Sequence, residues 1–175
     1  ASPFTKEISK SAFNLWYKSV RGHINSFNSL ESREEMFLAS ILANMALNNV
    51  GSGLGGDFSY PLGAKFNVPH GLGEGIFLPY LYSIYVERGF RGFTGLFDSL
   101  SIQEEKLSVK DKNIKLCVIL SQVYKELGIP ENLRDFKIGK EDIPELIDSV
   151  RPSFKSAPVK FDDNDADTLF NKFIL

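Results

Sequence analysis

Apolar residues recur three and four positions apart along most of this chain, and no useful length of it alternates apolar with polar. Ser2 and Pro3 read as a helix start, and Ile8, Ala12, Leu15, Trp16 and Val20 carry a helical spacing from residue 3 to about 24. Asn25 to Asn28 is a polar break. Ser32 to Glu35 has the form of a capping box. The residues after it, Met36 to Leu47, are apolar on nearly every side, which predicts a central rod buried all round. Asn48, Asn49 and Gly51 end it.

From Gly51 to Tyr80 the pattern changes. This stretch, GSGLGGDFSYPLGAKFNVPHGLGEGIFLPY, holds eight of the 14 glycines, three of the 8 prolines and one of the 2 histidines. Glycine at that density means a sharp turn or a close approach to the backbone, so a site is sought here first. The reading is a short or strained helix to Leu62, a loop over Gly63 to Val68, and a new helix from about Pro69, bent at Pro79. Ile76, Phe77, Leu78, Tyr80, Leu81, Ile84 and Tyr85 make that helix another apolar rod.

Further on, Gly89 to Leu100 reads as a weak helix with Phe90, Phe93, Leu96 and Phe97 inward. Ser108 to Leu127 is a strong helix, with Ile114, Cys117, Val118, Ser121, Tyr124 and Leu127 expected inward and Gly128-Ile129-Pro130 as its stop. Glu141 to Val150 is another, with Pro144 in its first turn. Asp162 or Asp163 caps a last one, with Ala166, Leu169, Phe170 and Phe173 inward. The predicted class is all-α, with residues 1–175 forming a single helical domain.

Composition narrows the partners. The 175 residues are 43% apolar and 24% charged, a globular balance that suffices for one core. A formal net charge of −2 gives no basic surface for nucleic acid. No apolar run reaches the ~20 residues that span a bilayer. One cysteine, Cys117, excludes an internal disulfide and fits a reducing cytoplasm; on an apolar helix face it reads as core. The chain opens without Met at a helix start, so it is expected to be a fragment or a shortened descendant of something longer.

Three features carry candidate chemistry. His70 sits at a helix start between Pro69 and Gly71, where it is either a metal ligand or a half-buried, cleft-facing histidine. The G-x-G patterns of the stretch are weak as a phosphate fingerprint, because no strand precedes them; close helix packing is the better reading. Asp162, Asp163, Asp165 and Asp167 are explained by a helix N-terminus, since the closing Glu of a Ca²⁺ loop is missing. His23, in the polar break, is expected at the surface.

The segment PLGAKFNVPHGLGEGIFLPY resembles the signature of the iron-containing (group III) alcohol dehydrogenases. Pro61, Leu62, Gly63, Ala64, Pro69, His70, Gly71, Ile76, Leu78, Pro79 and Tyr80 carry the match. Ser2 to Thr5, Arg33-Glu34 with Leu38 to Ser40, and Leu127 to Pro130 extend it over nearly the whole chain. The resemblance implies the C-terminal helical domain of the dehydroquinate synthase-like fold, without the N-terminal nucleotide-binding α/β domain. It also implies NAD(P) and a divalent metal, iron or zinc, in a cleft between the two.

The departures concern that metal. The family's four ligands are an Asp and three His, and only the last His is matched, by His70. The Asp and first His belong upstream of residue 1; the remaining His falls at Gly56, and a further His near the nicotinamide falls at Tyr60. Asp57 is off Gly56's register by about 100°. Glu74 replaces a small residue and reads as a capping or solvated carboxylate, and Tyr60 as a space-filler. A lone imidazole holds a divalent ion weakly. The expectation is therefore a truncated or degenerate metal-binding half of an alcohol dehydrogenase, inactive alone. The alternative is a non-catalytic interaction module. Partners would be a nucleotide-binding domain or a second copy bound through the former cleft.

Overall fold

The computed structural model describes residues 2–25, 29–102 and 106–174. All regular structure among the described residues is helical: α1 (Pro3–Asn25), α2 (Leu30–Val50), α3 (Leu54–Phe66), α4 (His70–Glu87), α5 (Thr94–Ser99), α6 (Val109–Glu126), α7 (Ile143–Val150) and α8 (Asp163–Ile174), with three short 3₁₀ turns around α7. The expected all-α class holds. The helices gather into two compact units, residues 1–51 with 91–116, and residues 52–90 with 117–175.

In the first unit α1 packs along α2. The two backbones come close where Gly22 meets Ser32, and a methyl group at Gly22 would overlap the Ser32 hydroxyl. That contact corrects the capping-box reading. Ser32 is a buried residue inside α2, and the N-cap is Ser29, whose hydroxyl accepts from the Ser32 amide at 3.2 Å.

The central-rod reading of Met36–Leu47 is also corrected. Only Ser32, Ala39 and Ala46 of α2 are buried, spaced by sevens on one side. Small residues let α1 approach closely, and one neighbour covers one face. Phe37, Leu38, Ile41 and Met45 are left 70%, 46%, 42% and 44% exposed.

Helix α5 is shorter than the sequence suggests, beginning at Thr94 after a turn with Gly89 at φ +92°. Phe93 and Phe97 are buried as expected, whereas Phe90 and Leu96 are only half-buried. The start of α5 is fixed by a buried polar residue. Asn113 of α6 accepts from the Phe93 amide (3.0 Å) and donates to Thr94 Oγ1 (2.8 Å) and the Val109 carbonyl (2.7 Å). Both N–H groups donate and the carbonyl oxygen accepts, so the burial of its amide is compensated. The inward face of α6 is Asn113, Leu116, Cys117, Leu120 and Val123, not the face expected. Ile114, Val118 and Leu127 are exposed at 41%, 62% and 37%, and Ser121 is exposed with them; Cys117 is buried and Tyr124 half-buried. His23, expected at the surface, is half-buried beside the α1–α2 packing.

The second unit is built on aromatic packing. Phe58 of α3 lies 5.1 Å from Phe77 of α4 and 5.0 Å from Phe170 of α8, and Phe77 lies 5.1 Å from Phe173. All four rings are fully buried or nearly so. Helix α7 presents Ile143, Leu146, Ile147 and Val150 to the same unit, with Pro144 in its first turn as expected. Helix α8 buries Ala166, Leu169, Phe170 and Phe173, also as expected. Its last turn is tied down by the Leu133 amide, which donates to the Phe173 carbonyl at 2.7 Å.

The Asp cluster is structural. Asp162 and Asp165 cap one another across the first turn of α8, Asp165 accepting from the Asp162 amide at 3.0 Å. Asp165 is also gripped by Arg88 through both carboxylate oxygens, at 2.7 and 2.5 Å. Burial raises the Asp165 pKa, but the Arg88 and Asp162 hydrogen bonds outweigh it and hold the carboxyl below its usual range.

Candidate functional site at the start of helix α4

The glycine-rich stretch folds as a tight pair of helices. Helix α3 runs to Phe66, past the expected break at Leu62, and the loop predicted over Gly63 to Val68 shrinks to Asn67–Pro69. Asn67 turns the chain in the left-handed region (φ 56°), a conformation asparagine tolerates better than most residues. Pro69 caps α4, as its fixed φ favours, and puts His70 in the first turn.

Close packing explains several of the glycines. A Cβ at Gly73 would sit 2.7 Å from Ser59 Oγ, and one at Gly55 would sit 3.1 Å from Leu78 Cδ1. Gly75 meets Ile129 at 3.1 Å in the same way. Ser59, fully buried, donates to the His70 carbonyl at 2.7 Å and locks α3 to the first turn of α4. Gly51 at φ +80° closes α2. Gly53 and Gly71 have open space beside them, so packing does not account for those two.

Tyr60 and His70 come together here, with Gly56 next to Tyr60 on α3. Gly56 and Tyr60 are one turn apart on α3. The Tyr60 ring stacks on the His70 ring with centroids 4.9 Å apart and planes 20° from parallel, and both residues are exposed. A Cβ at Gly56 would meet Ser52 and Tyr60 at 3.8 and 3.9 Å, ordinary contact, so a methyl group fits there. Asp57 is half-buried and does not join His70 in a ligand set. Glu74 lies against Gly55, over the first turn of α3, where a carboxylate is favoured by the helix N-terminus.

Among the described residues, no group of three or more His, Cys, Asp and Glu is placed to hold a metal ion. One imidazole, stacked on a phenol, is not the three- or four-donor set a first-row divalent ion needs, so these residues do not fit a tightly held metal. Nor do they fit a dinucleotide: no strand precedes the glycines among the described residues. Cys117 is buried, and desolvation raises its thiol pKa, which suits a packing residue and not a nucleophile. Burial also pushes the Tyr82 phenol up to about 12.

The model of the Fe-containing alcohol dehydrogenase family, C-terminal, matches residues 1–172. The chain belongs to that family. It is 27% identical over 144 residues to the 1,3-propanediol dehydrogenase of Klebsiella pneumoniae, covering 82% of this chain and 37% of that protein. It is 31% identical over 116 residues to the lactaldehyde reductase of Escherichia coli K12, covering 66% and 30%. Among solved structures, a 1,3-propanediol oxidoreductase superposes with a TM-score of 0.87 at 25% identity, over 98% of this chain and 45% of that one. An alcohol dehydrogenase from Oenococcus oeni gives 0.85 over 97% and 45% at 24% identity, a likeness of fold. The chain thus spans less than half the length of the relatives it matches. No helix among the described residues is long and apolar enough to cross a membrane.

The stretch singled out in the sequence lies within the residues that the family model matches. The stack of Tyr60 on His70 was not legible beforehand. The signal available was that residues 60 and 70 flank a turn that packs Ser59 against Gly73.

Proposed function

We propose that this chain is the helical, metal-facing half of an iron-type, NAD(P)-dependent alcohol or aldehyde oxidoreductase, with a degenerate metal set. His70 is read as its one metal-directed residue. The observation that supports the reading is that Tyr60 of α3 stacks on His70 at the start of α4, where His70 is the imidazole of the pair. Alcohol dehydrogenation in such a site needs a metal to polarise the oxygen and a nicotinamide to exchange hydride. These 175 residues hold neither firmly by themselves, so they are inactive alone in the cytoplasm until a nucleotide-binding α/β domain, on the same or another chain, completes the cleft.

The test is an NAD(P)H-linked assay over short alcohols and aldehydes, with iron or zinc added. No turnover is expected from the chain by itself. Metal-dependent turnover by the isolated chain would defeat the reading.

A second reading, a non-catalytic interaction module, is favoured by one specific observation. An exposed phenol covers one face of His70, which is what a site released from metal binding would accommodate. A pull-down with a separately expressed α/β domain of a relative distinguishes the two. Association that restores activity supports the first reading, and association without activity supports the second.

A further inference from the structure

His70 opens a helix that does little to hold its own first turn. The N-cap of α4 is Pro69, which offers no side-chain bond, and Gly71, Gly73 and Gly75 are three of the first six residues. Glycine is the weakest helix former after proline, because it gives up the most backbone freedom on folding. A Cβ at Gly71 would meet nothing within 4 Å, so nothing packs on that side of the residue after His70.

The hold comes from α3. Ser59 donates to the His70 carbonyl at 2.7 Å, and its side chain occupies the notch that Gly73 leaves. A Cβ at Gly73 would lie 2.7 Å from the Ser59 Oγ and 3.3 Å from its Cβ. One side chain therefore meets α4 at residue 70 and again at residue 73, a turn further on. Consecutive helical residues point about 100° apart. With Ser59 turned into α4, Tyr60 comes out at the rim, 59% exposed, where its ring meets that of His70. We propose that Ser59 is a positioning residue for His70. Ser59 and Tyr60 act as one clamp: the hydroxyl fixes the main chain of residue 70 and the phenol ring fixes its imidazole.

The direction of the Ser59 bond sets it apart from ordinary packing. A serine inside a helix commonly donates back to the carbonyl four residues earlier. Ser9, Ser83 and Ser149 do so in this chain, to Thr5, Pro79 and Glu145. Ser59 donates across to the neighbouring helix instead, to the one residue whose ring its neighbour Tyr60 stacks on. What the clamp serves rests on the reading of His70 as the metal-directed residue: an imidazole already held in place loses less freedom when other groups join it. The clamp itself does not rest on that reading.

The experiment is histidine-ring nuclear magnetic resonance on the purified chain, free of metal and nucleotide, with His23 as internal reference. A stacked aromatic ring shifts its neighbour's protons upfield, so the difference in His70 ring signals between the parent and Tyr60→Ala measures the stack. In Ser59→Ala most of that difference is expected to be lost, with His23 unmoved and the fold checked by circular dichroism. Adding Gly73→Ala to Ser59→Ala separates positioning from packing. With the hydroxyl gone, the new methyl group fills the notch and brings the urea midpoint back toward the parent, while the His70 signals stay displaced. Should Ser59→Ala fail to fold, the double variant carries the same reading. Unmoved His70 signals in Ser59→Ala, signals that return together with the midpoint in the double variant, or parent signals that coincide with those of Tyr60→Ala would each overturn the proposal. No metal, cofactor or turnover enters the measurement, so failure of the proposed function leaves its result intact.

Discussion

The phenol of Tyr60 lies flat on the imidazole of His70, at 4.9 Å between centroids, with both residues open to solvent. The stack covers one face of the single imidazole in the candidate site. Tyr60→Ala uncovers that face. Because both rings are exposed, the change is expected to cost less than about 1 kcal/mol in stability. Carbethoxylation of His70 by diethyl pyrocarbonate, followed by mass spectrometry with His23 as internal reference, should accelerate several-fold. An unchanged rate would mean the stack does not persist in solution.

The same site fixes a prediction for metal. With no group of three or more His, Cys, Asp and Glu placed to hold a metal among the described residues, the purified chain should carry well under one equivalent of iron or zinc by plasma mass spectrometry. A stoichiometric ion that survives dialysis against chelator would contradict the donor arithmetic.

Two glycines in the first turn of α4 should respond in opposite ways. Gly73→Ala drives a methyl group to 2.7 Å from Ser59 Oγ and disturbs the bond from Ser59 to the His70 carbonyl. Overpacking of this kind costs about 1–3 kcal/mol, set against at most ~1 kcal/mol of helix propensity gained. Gly71→Ala meets open space and should be neutral or stabilising. Urea midpoints of the two variants read the difference directly, and equal midpoints would show that the α3–α4 contact is loose.

Arg88 and Asp165 set an acid limit. Asp165, like Asp142 and Asp163, has its pKa lowered from 3.8 in the folded chain. A depressed carboxyl contributes stability above its unfolded pKa and loses it as pH falls through the folded value. Thermal midpoints should therefore hold down to about pH 5 and fall below about pH 4. Arg88→Ala leaves a buried carboxylate without its cation and should cost about 2 kcal/mol at pH 7. Its stability should then decline less steeply in acid than the parent's, because the folded pKa of Asp165 is no longer depressed by Arg88.

Helix positions were largely legible in the chain, because caps and breaks are local. Pro3, Pro69, Pro144 and Asp162 each mark a start that the structure keeps. Which face turns inward was not always legible. In α6 Leu116, Cys117, Val118, Ile119 and Leu120 are consecutive apolar residues, so the period alone leaves the inward side undetermined. It is settled by Asn113, whose three hydrogen bonds pull a polar side chain into the core. In α2 the uninterrupted apolar run suggested burial on every side, but burial depends on what neighbours are present, and here one small-residue face suffices for α1. The family was legible in the sequence because the glycines and prolines of residues 51–80 constrain the backbone and so mark a distinctive stretch. The Tyr60 stack depends on a side-chain orientation across a turn, which spacing does not encode.

The main-chain tie from Leu133 to Phe173 gives the tail of α8 an anchor. Fraying of this last turn has to give up that amide–carbonyl bond and bare Phe173 and Ile174 together, so its amides should exchange with solvent among the slowest of the second unit.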